Sequence, residues 1–405
     1  MQPLTTSKLV VYHILTGNGL LYYPEWIYGF SAFTIPVWFL IGDWLLILLN
    51  LFFSMEASIK IYFILLFGLS GFFFYLMIDK LLNYFNIEMG NRWEKLSLML
   101  GSVFYAYSSY PSVEHLLAGH LEISMGYVLF PLSIYLFVRG LNVFRFSFRG
   151  VVYALFVGIL MGLNLLSSPR ETSLLFLFAG LPLLMFLIVM DKVYRHRKAK
   201  VGYYLLTLIG FLPPIFLYYE ISIKSFNELG LPPIRGESAL RLASTLIRAM
   251  YFKNGSPWLP FSNQSYKFLD FALLFIIVSL ILIFWLLKAR NRIKREYYIL
   301  WLFSYFFVGF SILLASLRTT IPPIFELIFR DLLKGFLVAY FRSFNVLTFW
   351  FSITISLTSL FIVKTFPIYR NIFALRNDKK IVYSLGALLM IFSIFSIGYP
   401  SINYY

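Results

Sequence analysis

Ten largely apolar segments follow one another along the chain, at roughly 58–78, 96–110, 116–138, 151–166, 172–190, 201–219, 268–287, 297–316, 344–363 and 381–398. A helix needs about 20 such residues to cross the hydrocarbon core of a bilayer. The repetition predicts an all-α, polytopic integral membrane protein with about ten transmembrane helices. An eleventh apolar stretch, 33–53, is interrupted by Pro36 and Asp43, contains Trp38 and Trp44 and follows Trp26. Aromatic belts of that kind sit at the membrane surface, so this stretch is expected to lie in the interface or to re-enter without crossing.

Composition agrees with lipid as the solvent. Hydrophobic residues make up 60% of the 405 positions and charged residues 13%, against about a quarter charged in soluble domains. The expected organisation is an external or interfacial N-terminal segment (1–57), a core transmembrane module (58–219), an external loop with an amphipathic helix (220–267), and a C-terminal transmembrane module (268–405) containing a second external loop (317–343).

The connectors orient the chain. Residues 139–150 carry Arg139, Arg145 and Arg149 with no acid, and 191–200 carry Lys192, Arg195, Arg197, Lys198 and Lys200. Segments 288–295 and 364–380 are similarly basic. Alternating spans put all four on one side, which the positive-inside rule makes cytoplasmic. Most of the formal charge of +16 then reports topology in a multi-pass cell-membrane protein facing anionic lipid headgroups. Nucleic acid is not an expected partner.

The other side holds the candidate chemistry. Glu114, His115, His120 and Glu122 cluster in SSYPSVEHLLAGHLE. Ionisable groups near a span end are costly and therefore functional candidates. Two carboxylates and two imidazoles could hold a divalent cation or supply a general base. The base is favoured, because no His-x-x-x-His or Asp-x-Asp spacing is present. The bland alternative is an interfacial loop whose charges meet water, most plausible for Glu114 and His115. Arg170 and Glu171 occupy the turn SSPRE, where they either bridge each other or offer a guanidinium to phosphate. In 236–252, Arg241, Thr245 and Arg248 form one stripe of a predicted amphipathic surface helix. Arg330 and Lys334 stand four apart on a predicted helix, so both could face one anion. Arg342 opens the next span, where a charge needs a partner. No Walker loop, dinucleotide fingerprint, zincin motif or nucleophile elbow occurs, and no cofactor is specified beyond that divalent cation.

The run AGHLEISMGYVLFPLSIYLF, the aromatic start YYPEWIYGFSAFTIPVW, the SPRE turn and the block IPPIFELIFRDLLKGFLVAYFRSFNVLTF together resemble polytopic GT-C-type glycosyltransferases, particularly YfhO-like and arabinofuranosyltransferase-like membrane proteins. The resemblance implies transfer of a sugar from a polyprenyl-phosphate donor at the external membrane face. It implies Glu25 or Glu122 as the base, and Arg330, Lys334 and Arg342 as ligands of the leaving phosphate. Those families place a span before the first external loop and an acid near that loop's start. Here no span precedes the loop and no acid precedes Glu25. A truncated frame, a degenerate site and a partner membrane subunit supplying the helix are the three explanations. The function readings are a glycosyltransferase, a transporter or flippase of lipid-linked sugars, and a non-catalytic subunit of a membrane complex.

Overall fold

A computed structural model describes residues 45–46, 48–90, 92–107, 121–167, 172, 174–191, 197–218, 295–320 and 344–373. Those residues are helical almost throughout, and no strand occurs among them. The helices are α1 (Met55–Tyr84), α2 (Arg92–Tyr107), α3 (Leu121–Val143), α4 (Phe148–Ser167), α5 (Leu181–Asp191), α6 (Arg197–Tyr218), α7 (Arg295–Thr320) and α8 (Phe344–Phe373). A π-helical turn, Phe176–Gly180, leads directly into α5. Eight of the ten predicted segments therefore coincide with helical structure. The segments 268–287 and 381–398, the loop 220–267 and most of 1–57 lie outside the described residues.

Among the described residues three helices are long and apolar enough to cross a membrane, over Glu56–Tyr84, Met125–Val143 and Phe148–Leu165. Shorter apolar helical stretches are Phe176–Met190, Lys200–Phe216 and Asn345–Phe361. On α4, Val152, Phe156, Ile159 and Leu163 are exposed at spacings of four, three and four, one outward stripe. The inward face, with Ala154, Val157 and Met161 buried, is equally apolar. A helix apolar all round suits a membrane span.

Local chemistry sets the ends of α1. The Ser54 hydroxyl accepts a hydrogen bond from the Ala57 amide at 3.4 Å, an N-cap. At the other end Asn86 takes φ 55. The Ile87 amide then donates to Leu82 O and the Asn86 amide to Asn83 O, each at 3.0 Å. That is a Schellman closure, with Asn in the left-handed position. Of 33–53, the described residues 45–46 and 48–52 are helical. Leu46 is buried with Tyr62 and Leu66 of α1 and Met125 and Val128 of α3, so this stretch packs beside the Met55 end of α1.

Helix α8 is the axis of the assembly. Every described side chain from Asn345 to Phe361 is buried, between α2 on one flank and α7 on the other. Close approach to α2 depends on Gly101, whose missing Cβ leaves room for the Ser352 carbonyl and Ser356 hydroxyl. The hydroxyls of α8 are internally satisfied. Thr354 donates to the Trp350 carbonyl at 2.9 Å, Ser352 to the Thr348 carbonyl at 2.7 Å, and Ser356 to the Leu98 carbonyl at 3.2 Å. The α4–α6 pair is also glycine-mediated. Gly158 and Gly162 of α4 face Thr207, Gly210, Phe211 and Pro214 of α6. Small residues four apart give bilayer helices this close crossing.

Candidate functional site

The helices share two ends of different character. At one end α3 and α8 begin and α2 and α4 finish; we call it the rim. Tyr105 of α2 and Tyr127 of α3 stack there, with centroids 4.1 Å apart and planes 12° from parallel. Each phenol donates to the other's backbone carbonyl, Tyr105 Oη to Tyr127 O at 2.8 Å and Tyr127 Oη to Tyr105 O at 2.9 Å. Pro131 explains half of this exchange. Proline has no N–H for the carbonyl four residues earlier, so Tyr127 O is left without its helical donor. The buried phenol of Tyr105 supplies one.

Around this stack the rim closes tightly. Phe349 of α8 lies 5.1 Å from Phe130 and 6.3 Å from Tyr105. Asn164 of α4 is buried against α3. With its amide oriented by hydrogen bonding, it donates to Gly126 O at 3.0 Å and accepts from Phe130 N at 3.1 Å. Trp350 donates its indole N–H to Phe178 O at 3.0 Å, a carbonyl within the π turn. Irregular helical turns of this kind often occur where function is built. Thr172 and Thr348 are buried as well.

Asn345 differs from these neighbours. It stands in the first turn of α8 and is 0% exposed, yet neither Nδ2 nor Oδ1 has a hydrogen-bond partner among the described residues. It precedes Phe349 by four positions, so both occupy the same face of α8. That places it about 6 Å along the helix axis beyond the aromatic layer of Tyr105, Tyr127 and Phe130, toward the rim.

The opposite end is tied by charge. Lys364 of α8 donates to Glu88 O at 3.0 Å and pairs with Glu94 at 3.3 Å. Glu94 in turn accepts the Gly90 amide at 2.8 Å. Lys200 of α6 donates to the Tyr84 hydroxyl at 3.0 Å and lies 5.1 Å from that ring's centroid. The connector between α1 and α2, the start of α6 and the far part of α8 therefore meet. Two of these, around Lys200 and Lys364, belong to the segments 191–200 and 364–380 expected to share a side.

Most predicted site residues fall elsewhere. Glu25, Glu114, His115, His120, Arg170, Glu171, Arg330, Lys334 and Arg342 lie outside the described residues. Glu122 sits in the first turn of α3, at the rim, with its side chain outside the described set. The described residues flanking these positions do converge. Leu121 starts α3 beside the 114–120 cluster, Ser167 and Thr172 bracket Arg170 and Glu171, and Phe344 starts α8 two residues after Arg342. Among the described residues no three carboxylate or imidazole side chains gather to hold a metal ion. Sequence reasoning passed over Asn345, the Tyr105–Tyr127 exchange and the Glu94–Lys364 pair. Pro131 was the visible signal for the second; a lone Asn at the mouth of an apolar run was a faint one for the first.

Comparison with protein-family models, with curated proteins and with solved structures gives no match for this chain.

Proposed function

We propose that the chain is a multi-pass cell-membrane glycosyltransferase of GT-C type, with about ten spans and the rim facing outward. It transfers a sugar from a polyprenyl-phosphate donor to an acceptor at that face. One observation supports this reading above the others. The helix ends flanking Glu122, Arg170 and Arg342 meet at a single end of the bundle, opposite the end that carries Lys200 and Lys364. A base, a guanidinium and a phosphate-binding segment entering from three connectors are what such a transfer requires.

The chemistry is one displacement. Glu122 or Glu25 takes the proton of the acceptor hydroxyl. The freed oxygen bonds to the anomeric carbon while the bond from that carbon to the phosphate oxygen breaks, and its electron pair leaves on the lipid phosphate. Arg330, Lys334 and Arg342 stabilise that anion. Base and phosphate flank one sugar ring, so they should stand roughly 8–12 Å apart, an extension of the spacing rule for inverting carboxylates.

The deciding experiment uses the full chain in lipid nanodiscs with polyprenyl-phosphate sugars. Glu122→Gln should abolish transfer while leaving donor binding nearly intact, since it removes proton abstraction and little else. Arg342→Ala should weaken donor binding as well. A wild-type chain that binds the lipid donor without transferring sugar, whatever acceptor is offered, overturns the enzyme reading in favour of a flippase or a non-catalytic subunit. A chain that binds no polyprenyl phosphate overturns all three lipid-sugar roles.

A further inference from the structure

The corner between α3 and α4, at the end opposite the rim, gathers positive charge that the fold does not neutralise. Arg139 stands near the end of α3, Arg145 in the corner and Arg149 in the first turn of α4, and all three are exposed. Among the described residues none of the three guanidiniums has a hydrogen bond or an ion pair. The single acid in α3, α4 and α6 is Glu122, at the rim.

Two of these charges are brought side by side. Tyr153 of α4 donates its hydroxyl to Leu136 O of α3 at 3.0 Å, which fixes the register of the two helices. Arg139 lies one turn beyond Leu136 and Arg149 one turn before Tyr153, about 4.5 and 6 Å along their axes. The helices run in opposite directions, so both steps lead away from the rim. Guanidiniums placed together in this way repel each other unless an anion stands with them, and phosphate is the anion whose oxygens match their paired donors.

The corner is packed. Phe144 lies 5.3 Å from Phe146 and from Tyr203 of α6. The Phe146 ring covers Gly202 so closely that a Cβ there would collide with it, and Ser147 caps α4 by accepting the Gly150 amide at 3.2 Å. An apolar track leads from the charge toward the rim. Val152, Phe156 and Ile159 are exposed and continue the face of α4 that Arg149 heads, at spacings of three, four and three. From Arg149 to Ile159 is about 15 Å, half of a hydrocarbon core about 30 Å thick. Phe146 and Phe148, 66% and 84% exposed, offer further apolar surface beside the arginines. A soluble anion would use the charge and leave the track bare, whereas a lipid of one leaflet uses both.

We propose that Arg139 and Arg149 form a binding site for an acidic phospholipid, its phosphate held by the two guanidiniums and one acyl chain lying along Val152, Phe156 and Ile159. Basic clusters between helices at the cytoplasmic side of a membrane recognise lipid headgroups in this manner. The site lies away from the rim, so its failure would leave the glycosyltransferase reading untouched.

The test titrates the full chain, in neutral detergent at low salt, with phosphatidylglycerol, phosphatidylcholine or inorganic phosphate, and counts bound lipid by native mass spectrometry. Each arginine beside an anionic lipid contributes about fivefold. Wild type should therefore prefer phosphatidylglycerol over phosphatidylcholine by roughly 25-fold, and R139Q/R149Q should erase that preference without weakening phosphatidylcholine. R139K/R149K should keep most of it. R92Q/R295Q removes two exposed charges from helices that begin at the same end and should bind phosphatidylglycerol within about twofold of wild type. Val152→Ala with Phe156→Ala should weaken both lipids alike. An equal loss in R92Q/R295Q would mean a diffuse basic face with no site and overturns the proposal, as does a wild type that shows no preference. Displacement of phosphatidylglycerol by inorganic phosphate at equal concentration would identify an anion site without a lipid. Loss of both lipids in R139Q/R149Q, not restored by lysine, would mean that the arginines only hold the corner in shape; either result overturns the lipid assignment.

Discussion

The α4–α6 crossing gives a prediction in which one substitution should have opposite signs at two glycines. At Gly158 an added Cβ would run into the Thr207 carbonyl oxygen and would stand 2.9 Å from both Gly210 C and Phe211 N. These are backbone atoms of a packed helix and cannot rotate aside. Carbon contacts are comfortable from about 3.5 Å, so the helices must part by roughly 0.6 Å or more, loosening the whole crossing. Overpacking of this kind costs about 1–3 kcal/mol, and backbone against backbone belongs at the upper end. Alanine returns up to about 1 kcal/mol of helix propensity, leaving a net loss near 2 kcal/mol. At Gly68 in α1 and Gly309 in α7 an added Cβ meets nothing within 4 Å, so Gly→Ala there keeps the propensity gain alone. Equilibrium unfolding of the purified protein by SDS in mixed micelles, followed by tryptophan fluorescence, should separate Gly158→Ala from Gly68→Ala by about 3 kcal/mol. If Gly158→Ala stabilises as much as Gly68→Ala, the two helices do not approach through this glycine and the packing argument is wrong.

The same titration reads the rim. Tyr127→Phe should cost about 1 kcal/mol for one buried hydrogen bond, and Tyr105→Phe about 1–3 kcal/mol because it leaves the Tyr127 carbonyl without a donor; the double variant should be close to additive because the ring stack survives. At the opposite end Lys364→Met should cost no more than about 1 kcal/mol, since its pairing with Glu94 is partly exposed, and should cost less in high salt; hydrogen exchange of the 86–91 connector should rise with it. The orientation is checked by cysteine labelling, which the absence of native cysteine makes clean. Lys198→Cys and Ser262→Cys should show opposite accessibility to an impermeant reagent, and labelling of both from outside would end the proposed topology.

Helix positions were legible because lipid imposes a length and a composition together. Thus 58–78 and 151–166 fall inside α1 and α4. Ends were less legible, for identifiable reasons. The predicted 344–363 stops where Lys364 lowers the hydropathy, yet α8 runs to Phe373, because Lys364 is satisfied by Glu94 and Glu88 and need not leave the helix. The first five residues of the predicted 116–138 lie outside the described residues. The order of packing was not legible at all. Helix α8 is buried on all sides, so its Ser and Thr residues show no polar face, and periodicity cannot tell an axis from a lipid-facing span.

The candidate site divides along the same line. Charged positions such as Glu122, Arg170 and Arg342 are visible in the sequence because charge is rare in an apolar chain, and alternation of spans is enough to expect their connectors at one end. The flanking helix ends do meet there. A neutral amide leaves no such trace: Asn164 and Asn345 are the same residue type, near the rim ends of two apolar helices. What separates them is the neighbour. Asn164 lies against the α3 backbone just before Pro131 and finds an amide and a carbonyl within hydrogen-bond reach, whereas Asn345 has no such partner among the described residues. That difference exists only once the helices are assembled, so an unpartnered amide of this kind is found by accounting for every buried donor and acceptor in the fold.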